Sequence, residues 1–525
     1  MLNRLPDEIA RQAGQIAEYA REEGLDFFPT VFELLDFEEM NQVAAFGGFP
    51  QRYPHWRFGM QYEQLRKQHR YGLAKIYEMV INNDPCYAYL LADNTITDHK
   101  TVIAHVFAHC DFFKNNVCFA HTNRRMVDQM ANHATRIRRH IDRQGFEKVE
   151  RWMDTCLSLE ELIDPHSKFV RRQPREKSPA DSSERDRRAD DGAVRYPAKQ
   201  YMDRYINPPK TLAAQRRRRD EAREAERYQV PATPERDVLQ FLLQQAPLED
   251  WQADILSIIR EEAYYYAPQG QTQIMNEGWA TYWHSTLMTR YILRDEEVVT
   301  YCDHHAGTLA TSPGRLNPYK LGVELFRDIE ERWNTGRYGK EYDECTDMAR
   351  RRAWGRDRQV PQRVVGKGSA GREKIFQVRR IYSDVTFIDE FLTPEFVDKF
   401  QLYHYRFDPA TQRLVVVNRD FEKIKKQLLF SLTNHARPYI YVVDANYANR
   451  GELFLAQEHI GVDLDIKYAS ETLKALHRLW RRPVHLLALI DDEPVLFGYD
   501  GRQSQQQKWA GEVPKPAHLF EQYAR

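Results

Sequence analysis

A change of composition at about residues 166–235 constrains the fold of this 525-residue chain more than any other feature. The stretch is rich in Arg, Lys, Asp, Glu, Ser and Pro. Few apolar residues remain to offset the entropy lost on ordering, so we predict a largely disordered insertion. Its basic run Arg216–Arg219 is predicted to be a solvated linker, because acidic residues are interspersed around it.

The segments on either side of the insertion have the apolar spacing of helices. Ile9, Ala13 and Ile16 recur at helical intervals near the N-terminus, and comparable patterns continue before and after the insertion. We therefore predict one mainly α-helical body that is formed from residues 1–165 and residues 236–365.

The pattern changes again beyond the glycine-rich stretch 366–371, which is predicted to be a hinge. Short apolar runs predict strands at 414–418, 439–444 and 485–490. Amphipathic segments predict helices at 421–435 and 470–481. We expect a smaller α/β module over residues 371–525, which makes the whole chain an α+β protein.

Charge and cysteine content indicate the compartment. The chain has 76 basic and 77 acidic residues, so its overall charge gives no reason to expect nucleic acid or an anionic membrane as partner. No apolar run approaches the roughly 20 residues that a membrane span requires. The six cysteines include no C-x-x-C pair, which is typical of reduced thiols. We expect a soluble, cytoplasmic protein with no membrane span.

Two histidines four residues apart, His105 and His109, lie in an apolar segment that is predicted to be helical. Residues four apart share one face of a helix, so both imidazoles can converge on one metal ion. The spacing alone is weak support, because about 0.6 such pairs are expected by chance from 18 histidines in 525 positions.

A second segment places Glu277 and His284 on one face of another predicted helix. Gly278 and Ala280 leave the helix surface beside the carboxylate bare, which permits close approach of a second helix or a ligand. The structural alternative is a core helix in which an arginine pairs with Glu277, because a buried acid without a partner is costly.

Taken together, the two segments are similar to the zinc-binding motifs of gluzincin metallopeptidases. That class binds zinc through His-Glu-x-x-His and through the Glu of a downstream helix that often reads Asn-Glu-Gly-Phe-Ala-x-Tyr. Residues 276–282 read Asn-Glu-Gly-Trp-Ala-Thr-Tyr, whereas Val106 stands where the first motif has its glutamate. The similarity implies a zincin-like body in which His105, His109 and Glu277 bind a divalent metal, zinc in the first place.

The valine at position 106 matters, because the glutamate of that class accepts a proton from the attacking water and valine cannot. Asp111 and His284 are the candidates for a replacement base in hydrolysis of an amide or similar bond. The alternative is a non-catalytic protein in which the same residues form a buried polar network between two helices.

A basic segment follows the histidine pair. It contains Arg124, Arg125 and Arg136–Arg139, which would repel a metal cation from the nearby His133 and His140. Internal ion pairs are the favoured interpretation of these arginines. Binding of an anion or a nucleic acid is the weaker alternative and would require a continuous basic groove.

Several longer stretches resemble the stage V sporulation protein R (SpoVR) family. They lie at residues 24–33, 53–60, 77–90, 109–116, 275–280 and 446–453. The resemblance implies a helical main region, a C-terminal module from about residue 371, and a role in spore cortex formation or in a stress response. It also implies two partners, a PrkA-type AAA+ serine kinase and a protein with a von Willebrand-like domain. No biochemical activity comes with the family name.

Overall fold

The computed structural model describes most of the chain outside the charged stretch. The described residues are 5–70, 78–167, 233–339, 344–352, 366–409 and 411–511, together with 202, 205, 207–208, 210–213, 230–231, 342 and 354. Most of the predicted disordered insertion, including Arg216–Arg219, lies outside these residues.

The chain divides into two compact units, each assembled from segments that are distant in sequence. Unit 1 comprises residues 1–150 and 264–437, and unit 2 comprises residues 151–263 and 438–525. Helices dominate, and several small sheets accompany them, which confirms the α+β class. Among the described helices, none combines the length and the apolar composition needed to cross a bilayer.

The described helices occur in both units. In chain order they are α1 (Asp7–Glu22), α2 (Phe37–Ala45), α3 (Trp56–Arg70), α4 (Ile96–Asn115), α5 (Met126–Gln144), α6 (Phe146–Leu157), α7 (Val238–Gln245), α8 (Asp250–Gln271), α9 (Gln273–Leu287), α10 (Val298–Thr308), α11 (Pro318–Thr335), α12 (Met348–Arg352), α13 (Ala370–Ile381), α14 (Asp384–Phe391), α15 (Pro394–Phe400), α16 (Phe421–Leu432) and α17 (Ile466–Trp480).

The described strands form three sheets. In chain order the strands are β1 (Thr30–Leu35), β2 (Glu78–Ile81), β3 (Cys86–Leu91), β4 (His404–Asp408), β5 (Arg413–Asn418), β6 (Tyr439–Tyr447), β7 (Glu452–Glu458), β8 (Val484–Ile490), β9 (Glu493–Tyr499) and β10 (Ser504–Lys508). The sheet orders are β1-β3-β2, β4-β5 and β10-β9-β8-β7-β6.

Unit 1 contains a three-stranded sheet within a segment whose sequence we interpreted as mainly helical. Strand β3 pairs in parallel with β1 and antiparallel with β2. Ala88 and Leu90 are fully buried on one side of β3, and Tyr89 is buried on the other. A strand that is buried on both faces has no alternation of polar and apolar residues, and for that reason its sequence does not identify it as a strand.

Helix α4 runs through the core of unit 1 and is buried on nearly every side from Thr97 to Phe113. It packs against α1 and α9. Its N-cap is Thr95, whose hydroxyl accepts from the Asp98 backbone N–H while the Asp98 carboxylate accepts from Thr95 N–H. This capping box starts the helix far enough upstream to place both His105 and His109 in its interior.

Helix α9 crosses α11 at two glycines. A Cβ atom on Gly278 would clash with Cα of Gly322, so the two backbones are in direct contact. The glycine beside Glu277 therefore admits a second helix, which is one of the two roles that the sequence allowed. This crossing holds α9, the helix that carries Glu277, closely against α11.

Unit 2 contains the five-stranded sheet. Strand β7 is parallel to β8, and the other neighbouring strands are antiparallel. Helix α17 packs on β8 and β9 through a buried stripe that includes Leu473, Leu476 and Leu479. The strands predicted near 439–444 and 485–490 and the helix predicted near 470–481 are confirmed as β6, β8 and α17.

Candidate metal centre

The candidate ligands lie on two helices of unit 1. His105 and His109 project from α4, and Glu277 projects from α9. Each histidine Nε2 is 3.6 Å from Oε2 of Glu277, and the three ligand atoms lie within 4.8 Å of one another. Both imidazoles are buried, while the Glu277 side chain is 21% exposed and gives the cluster an approach from solvent. The structure therefore brings together all three residues that the sequence singled out.

The other nitrogen of each ring has a neighbour of its own. Nδ1 of His105 is 2.7 Å from Nδ1 of His284, and Nδ1 of His109 is 2.9 Å from Oδ1 of Asn276. These contacts fix the rotation of both rings, so each imidazole directs Nε2 towards Glu277. Asn276 was not predicted from sequence as a site residue, although it directly precedes Glu277 in the Asn-Glu-Gly segment.

The environment of Glu277 differs from the structural alternative considered above. Within the described part of the chain, its ion-pair contacts are with His105 and His109 and not with an arginine. No hydrogen-bond donor among the described residues reaches its buried Oε2 atom. A buried carboxylate oxygen without a donor costs free energy, which a cation at this point would recover.

His284 contacts His105, one of the candidate ligands, and both of its ring nitrogens face other histidines. Its Nδ1 faces His105, and its Nε2 is 3.0 Å from Nδ1 of His305 on α10. His305 is half-buried, and its ring stacks on Tyr301. Burial lowers the pKa of the His305 imidazole, and the charge of Arg327 on α11 lowers it further. From the sequence, His304 and His305 were candidates for groups that support the site from behind its ligands, and the fold brings His305 on α10 to His284.

Asp111, the other candidate base, is committed to structural contacts. Its carboxylate accepts from the backbone N–H of Asp26 and from Trp279 Nε1, each at 2.8 Å, and it lies 3.4 Å from Arg379 Nη1. Complete burial raises the pKa of the Asp111 carboxyl to about 6, although the nearby arginine opposes the shift. These contacts connect α4, α9 and α13 behind the cluster.

The N-terminus of α9 is held by a carboxylate from another helix. Asp384, the first residue of α14, accepts from the backbone N–H groups of Ile274 and Met275 at 2.8 and 2.9 Å. Burial raises the pKa of this carboxyl to about 7. Sequence analysis missed Asp384, because an aspartate at the start of a helix ordinarily serves its own helix.

Val106 and Arg124, the first arginine of the basic segment, both make contacts inside unit 1. Val106 is fully buried in the apolar core of unit 1. Arg124 donates to the carbonyl oxygens of Phe113 and Phe119, and its guanidinium lies over the ring of Phe28. Arg124 is therefore held by internal contacts, but these are with carbonyl oxygens and an aromatic ring and are not the ion pairs that the sequence favoured.

Comparison with known proteins gives the family. The family described as SpoVR like protein matches residues 3–437, and the family described as SpoVR-like C-terminal domain matches residues 438–490. The junction between these matches is also the end of unit 1. Sequence analysis placed the start of the C-terminal module at 371, but helices α13–α16 belong to unit 1.

A relative in Escherichia coli (strain K12) carries the name "Uncharacterized protein YcgB". It is 30% identical to this chain over 483 residues, and the match covers 87% of each protein. No solved structure gives a significant match. The two family matches and this similarity, which extends along most of the chain, show that the protein belongs to the SpoVR family.

Proposed function

We propose that His105, His109 and Glu277 hold a divalent metal ion, zinc in the first place, and that the protein uses it to hydrolyse an amide or similar bond. The observation that carries the proposal is the convergence of two imidazole Nε2 atoms on a buried carboxylate oxygen to which no described residue donates a hydrogen bond. Two imidazoles and one carboxylate are the donor set of many catalytic zinc sites, which keep a further position open for water or substrate.

The contacts behind the ligands support the same proposal. Ligand histidines in metal sites generally use their second nitrogen for a hydrogen bond that fixes the ring, and His105 and His109 both have such a contact. Glu277 is carried by a helix whose N-terminus is held by Asp384 and whose flank is locked against Gly322. The three donors are thus held in place before any ion arrives, which reduces the entropy lost on binding.

The chemistry proposed for the site is hydrolytic. A bound ion would act as a Lewis acid that polarises the scissile bond and favours ionisation of a nearby water. Val106 offers no proton acceptor, Asp111 is held by Trp279, and His284 contacts a ligand. Asp111 and His284, the two bases proposed from sequence, thus contact Trp279 and His105 and do not face the open side of the site. We therefore assign acceptance of the water proton to solvent or buffer that enters beside Glu277.

A second candidate is a non-catalytic member of a protein complex. The observation that favours it is the apolar Val106 in the place of the gluzincin glutamate. In this case the polar cluster would join α4 to α9, and the family resemblance proposes a PrkA-type AAA+ serine kinase and a von Willebrand-domain protein as partners. The setting would be spore cortex formation or a stress response in the cytoplasm, where the six unpaired cysteines would stay reduced.

Elemental analysis of the purified protein tests the proposal. We expect about one equivalent of zinc, iron or manganese per chain, retained after dialysis. His105→Ala, His109→Ala and Glu277→Gln should each lose the metal. His304→Ala is the matched control, because His304 lies on α10 and pairs with Asp98 away from the three ligands. It should keep the metal.

A parent protein that stays free of metal even after reconstitution would refute the metal centre. That result would favour the complex-forming role, which purification of the protein with the two proposed partners would then test.

A further inference from the structure

Three histidines form a continuous chain from the candidate metal centre to a half-exposed position. His105 contacts His284 through Nδ1 atoms 2.7 Å apart, and Nε2 of His284 contacts Nδ1 of His305 at 3.0 Å. His105 lies on α4, His284 on α9 and His305 on α10. No carboxylate or backbone carbonyl intervenes at either link, so each link joins one imidazole nitrogen directly to another.

A neutral imidazole has one nitrogen that donates and one that accepts. Each link of the chain therefore needs one protonated nitrogen and one lone pair, and the choice at one end determines the choice at the other. Only two arrangements satisfy both links when all three rings are neutral.

In the first arrangement, Nδ1–H of His105 donates to His284, and Nε2–H of His284 donates to His305. Nε2 of His105 then presents a lone pair beside Glu277, and the proton of His305 lies on Nε2. In the second arrangement every donor and acceptor is exchanged: His305 donates to His284, His284 donates to His105, and Nε2–H of His105 faces the carboxylate of Glu277.

The environment of Glu277 determines which arrangement prevails. Without a cation, a lone pair 3.6 Å from the carboxylate oxygen is repelled, whereas an N–H in the same place is attracted. With a metal ion between them, His105 must offer the lone pair, because a metal ligand nitrogen carries no proton. Occupancy of the site therefore selects the first arrangement, and an empty site selects the second.

We infer that the His105–His284–His305 chain reports occupancy of the metal centre to the surface of unit 1 by a concerted exchange of imidazole tautomers. This inference rests on the proposed metal centre. The Nε2 atom of His305, on the far side of its ring from His284, accepts hydrogen bonds in the metal-free protein and donates them in the loaded protein. A partner group that accepts hydrogen bonds, such as a carbonyl or carboxylate oxygen, would then recognise the loaded form.

The exchange conserves protons. On binding, the Nε2 proton of His105 leaves to solvent, and the proton between His284 and His105 moves onto Nδ1 of His105. The proton between His305 and His284 moves onto Nε2 of His284, and Nε2 of His305 takes up one proton from solvent. One proton is released and one is gained, so each ring is neutral before and after.

Nuclear magnetic resonance of protein labelled with ¹⁵N at histidine tests the inference directly, because long-range ¹H–¹⁵N correlations distinguish the two neutral tautomers. The probe is zinc added to the metal-free full-length protein. We expect the His305 proton on Nδ1 before zinc is added and on Nε2 afterwards. In His284→Phe, which interrupts the chain, the His305 signals should no longer respond, whereas in the control His304→Phe they should respond as in the parent.

Zinc affinity, measured by competition with a chelator, gives a second readout. Removal of the group behind a ligand typically weakens metal binding by about 10–100-fold, and we expect a loss in this range for His284→Phe. His305→Phe, at a half-exposed position, serves if His284→Phe does not fold, and it should weaken binding by about tenfold. Unchanged affinity in His305→Phe would contradict the chain.

The outcomes separate the two ideas. Failure of the parent to bind zinc would overturn the metal centre and the chain with it. Zinc binding in the parent without any change in the His305 tautomer would leave the metal centre intact and overturn the chain alone.

Discussion

The contact between α9 and α11 makes Gly278→Ala the most informative single substitution. The new Cβ would clash with the carbonyl carbon and Cα of Gly322, and it would lie 2.8 Å from the nitrogen of Val323. All three neighbours are backbone atoms, so no rotamer change relieves the clash. Ordinary carbon–carbon contact requires about 3.5 Å, and the helices must therefore separate by about 1 Å.

The magnitude follows from two opposing terms. Overpacking a core typically costs about 1–3 kcal/mol, and the upper end applies because two helix backbones must move. Replacement of glycine by alanine within a helix stabilises the helix by about 1 kcal/mol, which offsets part of this cost. We expect Gly278→Ala to lower the free energy of unfolding by about 2 kcal/mol, as measured by chemical denaturation followed through circular dichroism.

Gly14→Ala is the matched control for this measurement. Gly14 lies on the exposed face of α1, and a Cβ atom there meets no atom within 4 Å. The substitution should raise the free energy of unfolding by up to about 1 kcal/mol. If both variants shift the denaturation midpoint in the same direction by a similar amount, the close crossing at Gly278 does not exist as described.

Three further predictions concern buried charge and the metal. Lys100→Met leaves the buried carboxylate of Glu297 without the ammonium that now contacts both its oxygens. This variant should lower the free energy of unfolding by about 3–5 kcal/mol in urea denaturation. The double variant with Glu297→Leu should recover most of that loss. Burial raises the pKa of the Asp384 carboxyl to about 7, so between about pH 4 and 7 the folded protein keeps a carboxyl proton that the unfolded chain has lost. The contribution of this carboxyl to stability therefore falls as pH rises from about 4 to 7. Asp384→Asn should lack this dependence in a pH series of unfolding measurements. Zinc at about 100 times its dissociation constant should stabilise the parent by about 2.7 kcal/mol in the same assay, and no stabilisation should occur in His109→Ala.

Each of these three has a clear contrary result. A mild effect of Lys100→Met would mean that water reaches the pair. The same pH profile with and without Asp384 would mean that its carboxyl titrates normally. Equal stabilisation of parent and His109→Ala by zinc would place the ion elsewhere.

The sequence by itself determined the residues of the candidate centre, because each motif is local to one helix. His105 and His109 share a face through their spacing, and Glu277 is marked by the small residues that follow it. Two of the five strands of the C-terminal sheet, β6 and β8, were also readable, since short apolar runs between turn residues predict strands. The family resemblance was also visible in the sequence, because it rests on long continuous stretches of residues and does not depend on the tertiary structure.

Only the tertiary structure decided what surrounds those residues. Asp384 caps α9 through the backbone of Met275, which lies 109 residues earlier in the sequence. His305 completes a chain of histidines that begins on α4. Likewise, β3 is a strand because both of its faces are covered, and Gly278 matters because Gly322 lies against it. Periodicity and capping motifs record interactions within about one helical turn, whereas these contacts join segments that the chain brings together only when the whole core of unit 1 is packed.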